Sequence, residues 1–323
     1  MQRGRAESVN LIVGGTGFIG GHLAEYFFQE GEISKGIFRK GSHLKILDQC
    51  GIQILEADLL DRDSLHEAVD GVNVIYNLAS PTPDHEGQAD YLAPNTKGLR
   101  NLMEEAEEHG VQDFVHLSTL DVFGFKKKRI GGSEDVVEGL PPHPYQKAKL
   151  QAEMEIQEFL KKGGEMRLKV VRAARATGPR DTTLALPLLK MMESGSVVLP
   201  SGGDSPMSFT HPKDVAKALF RVATAGQSGK VYQMKSFDAT AEELAKGIVN
   251  ACGRKALVKR EGLFAKTALP PYTASQVRAG IFLEKQDSWG AISYSPEYDL
   301  QRTSAEIAEW HGKEPWLTES ERT

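Results

Sequence analysis

Tyr145 and Lys149 stand four residues apart in His143-Pro144-Tyr145-Gln146-Lys147-Ala148-Lys149. On a helix, positions i and i+4 share a face, so the phenol and the ammonium would point into one space. A neighbouring ammonium favours the phenolate and would draw the phenol down from its usual pKa near 10. Such a pair can pass a proton to or from a carbinol oxygen. The chain holds eight tyrosines, so this spacing alone is weak evidence. It gains weight from Ser118 and Thr119, two hydroxyls at the end of the apolar run His116-Leu117-Ser118-Thr119. Hydroxyls at a strand end usually cap it. With Tyr145 and Lys149 downstream, they become candidates to polarise the same oxygen.

A second constellation opens the chain. Gly14-Gly15-Thr16-Gly17-Phe18-Ile19-Gly20 follows an apolar strand-like run and leads into an amphipathic stretch. Strand, glycine turn and helix in that order hold a dinucleotide pyrophosphate against free helix N–H groups. Glycine permits the tight turn, the close approach of the main chain and the packing of helix on strand. About twenty residues on, where a carboxylate would hold the ribose 2′-hydroxyl of NAD, stand Arg39 and Lys40. A guanidinium there pairs with a 2′-phosphate, so the expected cofactor is NADP, with NAD as the alternative. Asp58, followed by Leu59, is placed either to meet the adenine edge or to cap a helix.

The elements that must position these groups alternate. Runs at 9–13, 33–38, 52–57, 72–78, 114–118 and 168–173 read as strands, with helices at 22–29, 63–69, 95–109 and 144–161 between them. That rhythm predicts an α/β chain with a Rossmann doubly wound parallel sheet. Beyond Thr177 it breaks into Gly- and Pro-rich segments, although 230–235 reads as a strand returning to the main sheet. The expected organisation is a cofactor-binding domain over 9–175 plus about 208–236. A smaller mixed α/β C-terminal substrate-binding part would take about 176–207 and 237–323, with 1–8 disordered.

Composition narrows the class. A formal charge of -5 and a pI near 6.0 argue against nucleic acid or an anionic membrane as partner. The basic run Lys126-Lys127-Lys128-Arg129 reads as a solvated loop. Two distant cysteines, Cys50 and Cys252, give neither a disulfide framework nor a cysteine zinc site and fit a reducing cytoplasm. No apolar run approaches the roughly 20 residues that span a bilayer, and no metal is expected.

The motifs in their order resemble the extended short-chain dehydrogenase/reductase superfamily. These are the glycine turn, Asp58-Leu59, Asn77-Leu78-Ala79-Ser80, Asn95-x-x-Gly98-x-x-Asn101, Ser118-Thr119…Val122-Phe123-Gly124, Tyr145-x-x-x-Lys149, Gly178-Pro179-Arg180 and Phe209-Thr210-His211…Asp214-Val215. That superfamily includes NAD-dependent epimerases and dehydratases, 3β-hydroxysteroid dehydrogenases and dihydroflavonol-type reductases. The resemblance implies that Thr119, Tyr145 and Lys149 form the catalytic set. Gly14, Gly17, Phe18, Ile19, Gly20, Leu78, Ala79, Ser80, Asn95 and Ser118 would border the cofactor. It also implies a homodimer built through the helix bearing Tyr145. Where the sugar-nucleotide dehydratases follow the threonine with an Asp-Glu pair, this chain has Leu120 and Asp121, so dehydration is not expected. Arg175 places a cation where relatives often carry Pro or Asn, which suits an anionic small molecule; Asp121 and Arg175 are the candidate substrate contacts.

Three functions follow as expectations. The first is an NAD(P)-dependent oxidoreductase acting on a secondary alcohol or ketone. The second is a sugar-nucleotide epimerase that retains its cofactor. The third is a redox sensor that binds NAD(P) without turnover, which retention of Thr119, Tyr145 and Lys149 argues against. A sugar diphosphate would be clamped by arginines such as Arg180, Arg254, Arg260 and Arg278. A steroid would need an apolar pocket, for which 184–192 and Phe264 are available.

Overall fold

Short apolar runs buried on both faces can be satisfied only inside a sheet covered by helices on each side, and that is what forms. The computed structural model describes residues 8–84, 90–132, 135–262, 265–286 and 289–313. The expected disorder at the N-terminus and the candidate Phe264 lie outside these residues, apart from Ser8.

In chain order the first strands are β1 (Asn10–Val13), β2 (Ser34–Phe38), β3 (Gln53–Glu56), β4 (Val74–Asn77) and β5 (Asp113–Thr119). Then come β6 (Arg129–Ile130), β7 (Arg167–Ala173), β8 (Arg175–Ala176), β9 (Ser196–Leu199) and β10 (Met207–Thr210). The last are β11 (Val231–Met234), β12 (Phe237–Ala239), β13 (Leu257–Arg260) and β14 (Phe282–Leu283). Seven of them form one sheet in the order β11-β7-β5-β4-β1-β2-β3, and every neighbouring pair is parallel. The segment at 230–235 thus supplies the edge strand beside β7.

One face of the sheet is covered by α1 (Phe18–Glu30) and, later in the chain, a helix at Pro212–Ala225. Phe27, Tyr76, Val171, Leu219 and Tyr232 fill that side. The other face carries α3 (Arg62–Val69), α4 (Leu99–Glu108) and α5 (Pro144–Lys161), whereas α2 (Lys45–Gln49) packs its Leu47 into the core of the first face. Leu65, Leu102, Met103, Phe114 and Ile156 pack beneath these helices. The remaining helices are α6 (Ala185–Glu193), α7 (the Pro212–Ala225 helix), α8 (Ala241–Ala251), α9 (Pro271–Ala279) and α10 (Leu300–Lys313).

Sheet order reverses between β1 and β4. Such switch points leave a crevice at the strands' carboxyl ends, where open α/β sheets bind ligands. A three-stranded sheet, β12-β10-β8, and two two-stranded sheets, β13-β9 and β14-β6, stand apart from the main one. The apolar stripe of α6 packs into a separate core with Phe209, Phe237, Leu244 and Ile307. It is core packing, so it offers no apolar wall to a steroid.

Candidate active site

At the switch point lies a cleft of about 1040 Å³ including its open mouth. Its floor is the turn between β1 and α1, where Gly14, Gly17, Phe18, Ile19 and Gly20 line the space. The turn tests itself for a dinucleotide. Gly14 has φ +89°, and a Cβ on it would stand 2.8 Å from the Ala79 nitrogen. A Cβ on Gly20 would stand 2.1 Å from the Gly14 carbonyl oxygen. Gly17 meets only that carbonyl, at 3.3 Å, and is exposed on the cleft side. The first two glycines let the chain pack on itself, and the third leaves backbone open to an approaching phosphate. Phe18 opens α1, whose N-cap Gly17 contributes no side-chain hydrogen bond, so the first helical N–H groups have no cap. The cleft fits a pyrophosphate.

The segment leaving β4 supplies the adjacent wall through Leu78 and Ser80. Ala79 sits behind Gly14 and donates its N–H to Asn77 Oδ1 at 3.2 Å. Asn95 lies in a π-helical turn, Pro94–Gly98, where its Nδ2 donates to Tyr91 O at 2.8 Å and Ser80 Oγ at 3.3 Å. Arg39 and Lys40 follow β2 and are exposed, without an ion pair among the described residues. Asp58 is exposed; Leu60 N–H donates to its Oδ1 at 2.9 Å. The N-cap of α3 is Asp61, so Asp58 does not cap that helix. Leu59 is buried against Gly98 and accepts no cleft contact.

β5 and α5 bring the hydroxyls and the Tyr-x-x-x-Lys pair together. Thr119, Ser118, Tyr145 and Lys149 all line the cleft. Pro144 starts α5 at the position where a missing N–H is harmless, and the His143 ring accepts from Tyr145 N–H at 3.2 Å. Alternation along β5 then sorts the side chains. Thr119 Oγ1 accepts from Asp121 N–H at 3.2 Å, capping a short 3₁₀ turn at Leu120–Phe123. Ser118 donates to Glu153, which Arg172 grips with Nη2 at 2.6 Å and Nε at 3.0 Å. The Ser118 hydroxyl is therefore tied into a buried network at the cleft wall.

The ammonium shares the cleft with the phenol, but its hydrogen bonds go elsewhere. Lys149 donates to Leu117 O at 2.6 Å and reaches His116 Nε2 at 3.3 Å; among the described residues it makes no hydrogen bond to the phenol. Tyr145 is consequently pushed up by burial and by the Asp121 carboxylate, with Arg175 pulling the other way. Lys149 itself is drawn down to about 8 by burial. In the unfolded chain its value is 10.5, so between about pH 8 and 10.5 the unfolded state binds the extra proton. Stability should therefore rise with pH across that window and be lowest below it. Lys149→Met is expected to flatten the rise, by up to about 3 kcal/mol. Urea melts at pH 7 and pH 10 check this, and an equal rise in the variant would assign it to other groups.

Asp121 lines the cleft and is buried. Its Oδ2 accepts from Tyr272 Oη at 2.8 Å and Gln276 Nε2 at 2.6 Å, while burial raises its pKa. Arg175 donates to Thr183 Oγ1 at 2.6 Å and lies 3.3 Å from Asp181, and its buried Nε has no hydrogen-bond partner among the described residues. Tyr272 and Gln276, both on α9, line the cleft as well and were not anticipated. Of the four arginines considered for a diphosphate clamp, Arg180 is bound to Glu25 at 2.6 and 2.8 Å. Arg260 pairs with Asp204 and Arg278 with Glu261, and none of the four lines the cleft. The Phe209-Thr210-His211…Asp214 segment is structural: His211 caps α7, and Asp214 accepts from Ser236, Tyr294, Glu297 and Tyr298.

Fold and cleft together define an enzyme of the extended short-chain dehydrogenase/reductase type. Residues 10–234 match the family described as "NAD dependent epimerase/dehydratase family", and the chain belongs to it. It is 26% identical to human "Sterol-4-alpha-carboxylate 3-dehydrogenase, decarboxylating", over 69% of this chain and 61% of that protein. It is 24% identical to "dTDP-glucose 4,6-dehydratase" of Streptomyces niveus, over 75% and 77%. The fold is similar to UDP-glucose 4-epimerase from Bifidobacterium longum, solved with NAD+ and UDP. That TM-score is 0.78 at 17% identity, covering 95% of this chain and 99% of the other. Among the described residues no helix is long and apolar enough to cross a membrane.

Proposed function

We propose that this protein is an NADP-dependent oxidoreductase that moves hydride between a nicotinamide and a secondary alcohol or its ketone. One observation carries the reading: Thr119, Tyr145 and Lys149 line the same cleft as the glycine turn. The nicotinamide, when bound, supplies the hydride chemistry. Residues 9–175 with 208–236 would hold that cofactor, and the rest would close over the substrate.

Each side chain then has a task. Thr119 Oγ1 and Tyr145 Oη hydrogen-bond the carbinol oxygen, and Tyr145 moves the proton at that atom. A phenol kept neutral by burial is a donor, which suits ketone reduction. Lys149, already fixed to Leu117 O, is a rigid donor and positive charge on the cofactor side. Asp121, with Tyr272 and Gln276, borders the substrate. Arg175, with one buried N–H unpartnered, favours an anionic group there.

Arg39 and Lys40 support NADP because they are exposed and have no described acidic partner. Arg39→Asp is expected to shift the ratio of NADP to NAD affinity by at least about tenfold toward NAD, the size of one charge-assisted contact. Titrating both dinucleotides against both proteins checks it; an NADP preference that survives the change refutes this role for Arg39.

The retained-cofactor epimerase is the second reading, favoured by the same unpartnered Arg175 N–H and its suitability for a sugar diphosphate. Product formed per NADPH consumed separates the two. A ratio near one supports net reduction, and turnover without consumption supports epimerisation.

A further inference from the structure

On the far side of the α3–α4 layer, three potential ligands converge away from the cleft. His66 is in the last turn of α3, Glu105 lies on α4, and His109 follows that helix at its C-cap. Their ligand atoms all lie within 4.8 Å of one another. The Glu105 side chain is only 8% exposed, although it is a carboxylate. Its Oε1 accepts from Arg62 Nε at 2.5 Å, whereas Oε2 is buried with no hydrogen-bond partner among the described residues. A buried, unpaired carboxylate oxygen is costly, so it calls for a cationic partner.

The spacing says what. His66 Nδ1 lies 3.6 Å and His109 Nδ1 3.7 Å from that Oε2. Both exceed the roughly 3.2 Å limit of a good hydrogen bond. They are close to the ~3.3 Å that separates ligands around a tetrahedral ion with bonds of about 2.0–2.1 Å. The surroundings are also negative: Arg62 faces Glu104, Glu105 and Glu108, three carboxylates against one guanidinium. His109 Nδ1 lies 2.9 Å from the Glu105 carbonyl as well, so ligation through it needs the proton on Nε2 and a small turn of the ring.

We propose that His66, Glu105 and His109 bind a divalent transition-metal ion of the zinc class, with water completing its coordination on the exposed His66 side. Two imidazoles and one carboxylate select such an ion over Mg²⁺, which prefers all-oxygen sites. The ion gives Oε2 its partner and clamps α3 to α4, the helix whose Asn101 holds the Leu59 carbonyl at 2.8 Å. Sequence inspection missed the set because His66 stands far from the other two ligands in the chain and no cysteine is involved.

The test is calorimetric titration of tag-free, metal-stripped full-length protein with ZnCl2, paired with thermal melts. Expected are one Zn²⁺ bound per chain, a higher Tm with Zn²⁺ and no shift with Mg²⁺. His66 is 73% exposed, so His66→Ala should leave the fold intact while weakening Zn²⁺ binding by about tenfold or more. His109→Ala should do the same. Wild-type protein that takes up no Zn²⁺, or variants that bind it as tightly as the wild type, would overturn the site.

Discussion

Tyr145→Phe is expected to lower turnover by about 10²–10⁴-fold while leaving NADPH affinity within about twofold. The substitution removes one oxygen and keeps the ring. That ring packs edge-on against Tyr91 and Tyr272, at centroid distances of 6.0 and 5.5 Å, so the wall of the cleft survives. Among the described residues the Tyr145 hydroxyl makes no hydrogen bond that holds other groups in place, and Lys149 keeps its bonds to Leu117 and His116. The loss therefore falls on proton transfer. Because the phenol is neutral in its buried setting, wild-type ketone reduction should hold through neutral pH. Steady-state kinetics beside fluorescence titration separates the two effects. A variant with full turnover would remove Tyr145 from the chemistry.

Gly20→Ala should weaken dinucleotide binding by at least about tenfold, against what helix propensity alone would suggest. Gly20 lies in the first turn of α1, where alanine would ordinarily gain about 1 kcal/mol. Here the new Cβ would stand 2.1 Å from a backbone carbonyl and 2.8 Å from the Gly15 Cα. Neither neighbour is a side-chain tip that can swing away, so the turn itself must move. Overpacking of this kind costs about 1–3 kcal/mol, and the movement falls on the segment that meets the pyrophosphate. Gly31→Ala is a useful control: its Cβ would meet nothing within 4 Å, so any effect there comes from its φ of +69°. Unaltered NADPH affinity in Gly20→Ala would refute the pyrophosphate assignment.

Much of this architecture can be read directly from residue order. The span 144–161 is a helix with the limits that its proline start and amphipathic pattern indicate. The apolar runs become parallel strands because each is hydrophobic on both faces, a pattern that only a covered parallel sheet accepts. β6, β8 and β14 are not legible, since each has two residues and owes its pairing to distant partners. The same limit applies to the site. Tyr145 and Lys149 are legible from their spacing at the start of a helix and Thr119 from the family resemblance, and all three line one cleft. Tyr272 and Gln276 reach Asp121 across sequence separations of 151 and 155 residues, and only tertiary folding reveals them. The direction of the Lys149 ammonium was equally hidden, because it depends on the Leu117 carbonyl and the buried His116 ring rather than on helix geometry.

The central claim is that one cleft combines a dinucleotide turn with the Thr119, Tyr145 and Lys149 set. Its most direct test is titration of NADPH fluorescence with wild-type protein, Gly20→Ala and Tyr145→Phe in parallel. The account predicts saturable one-to-one binding by wild type and Tyr145→Phe with matching affinity, and weakened binding by Gly20→Ala. Absence of any NADPH or NADH binding by the wild-type protein at micromolar concentration would contradict it.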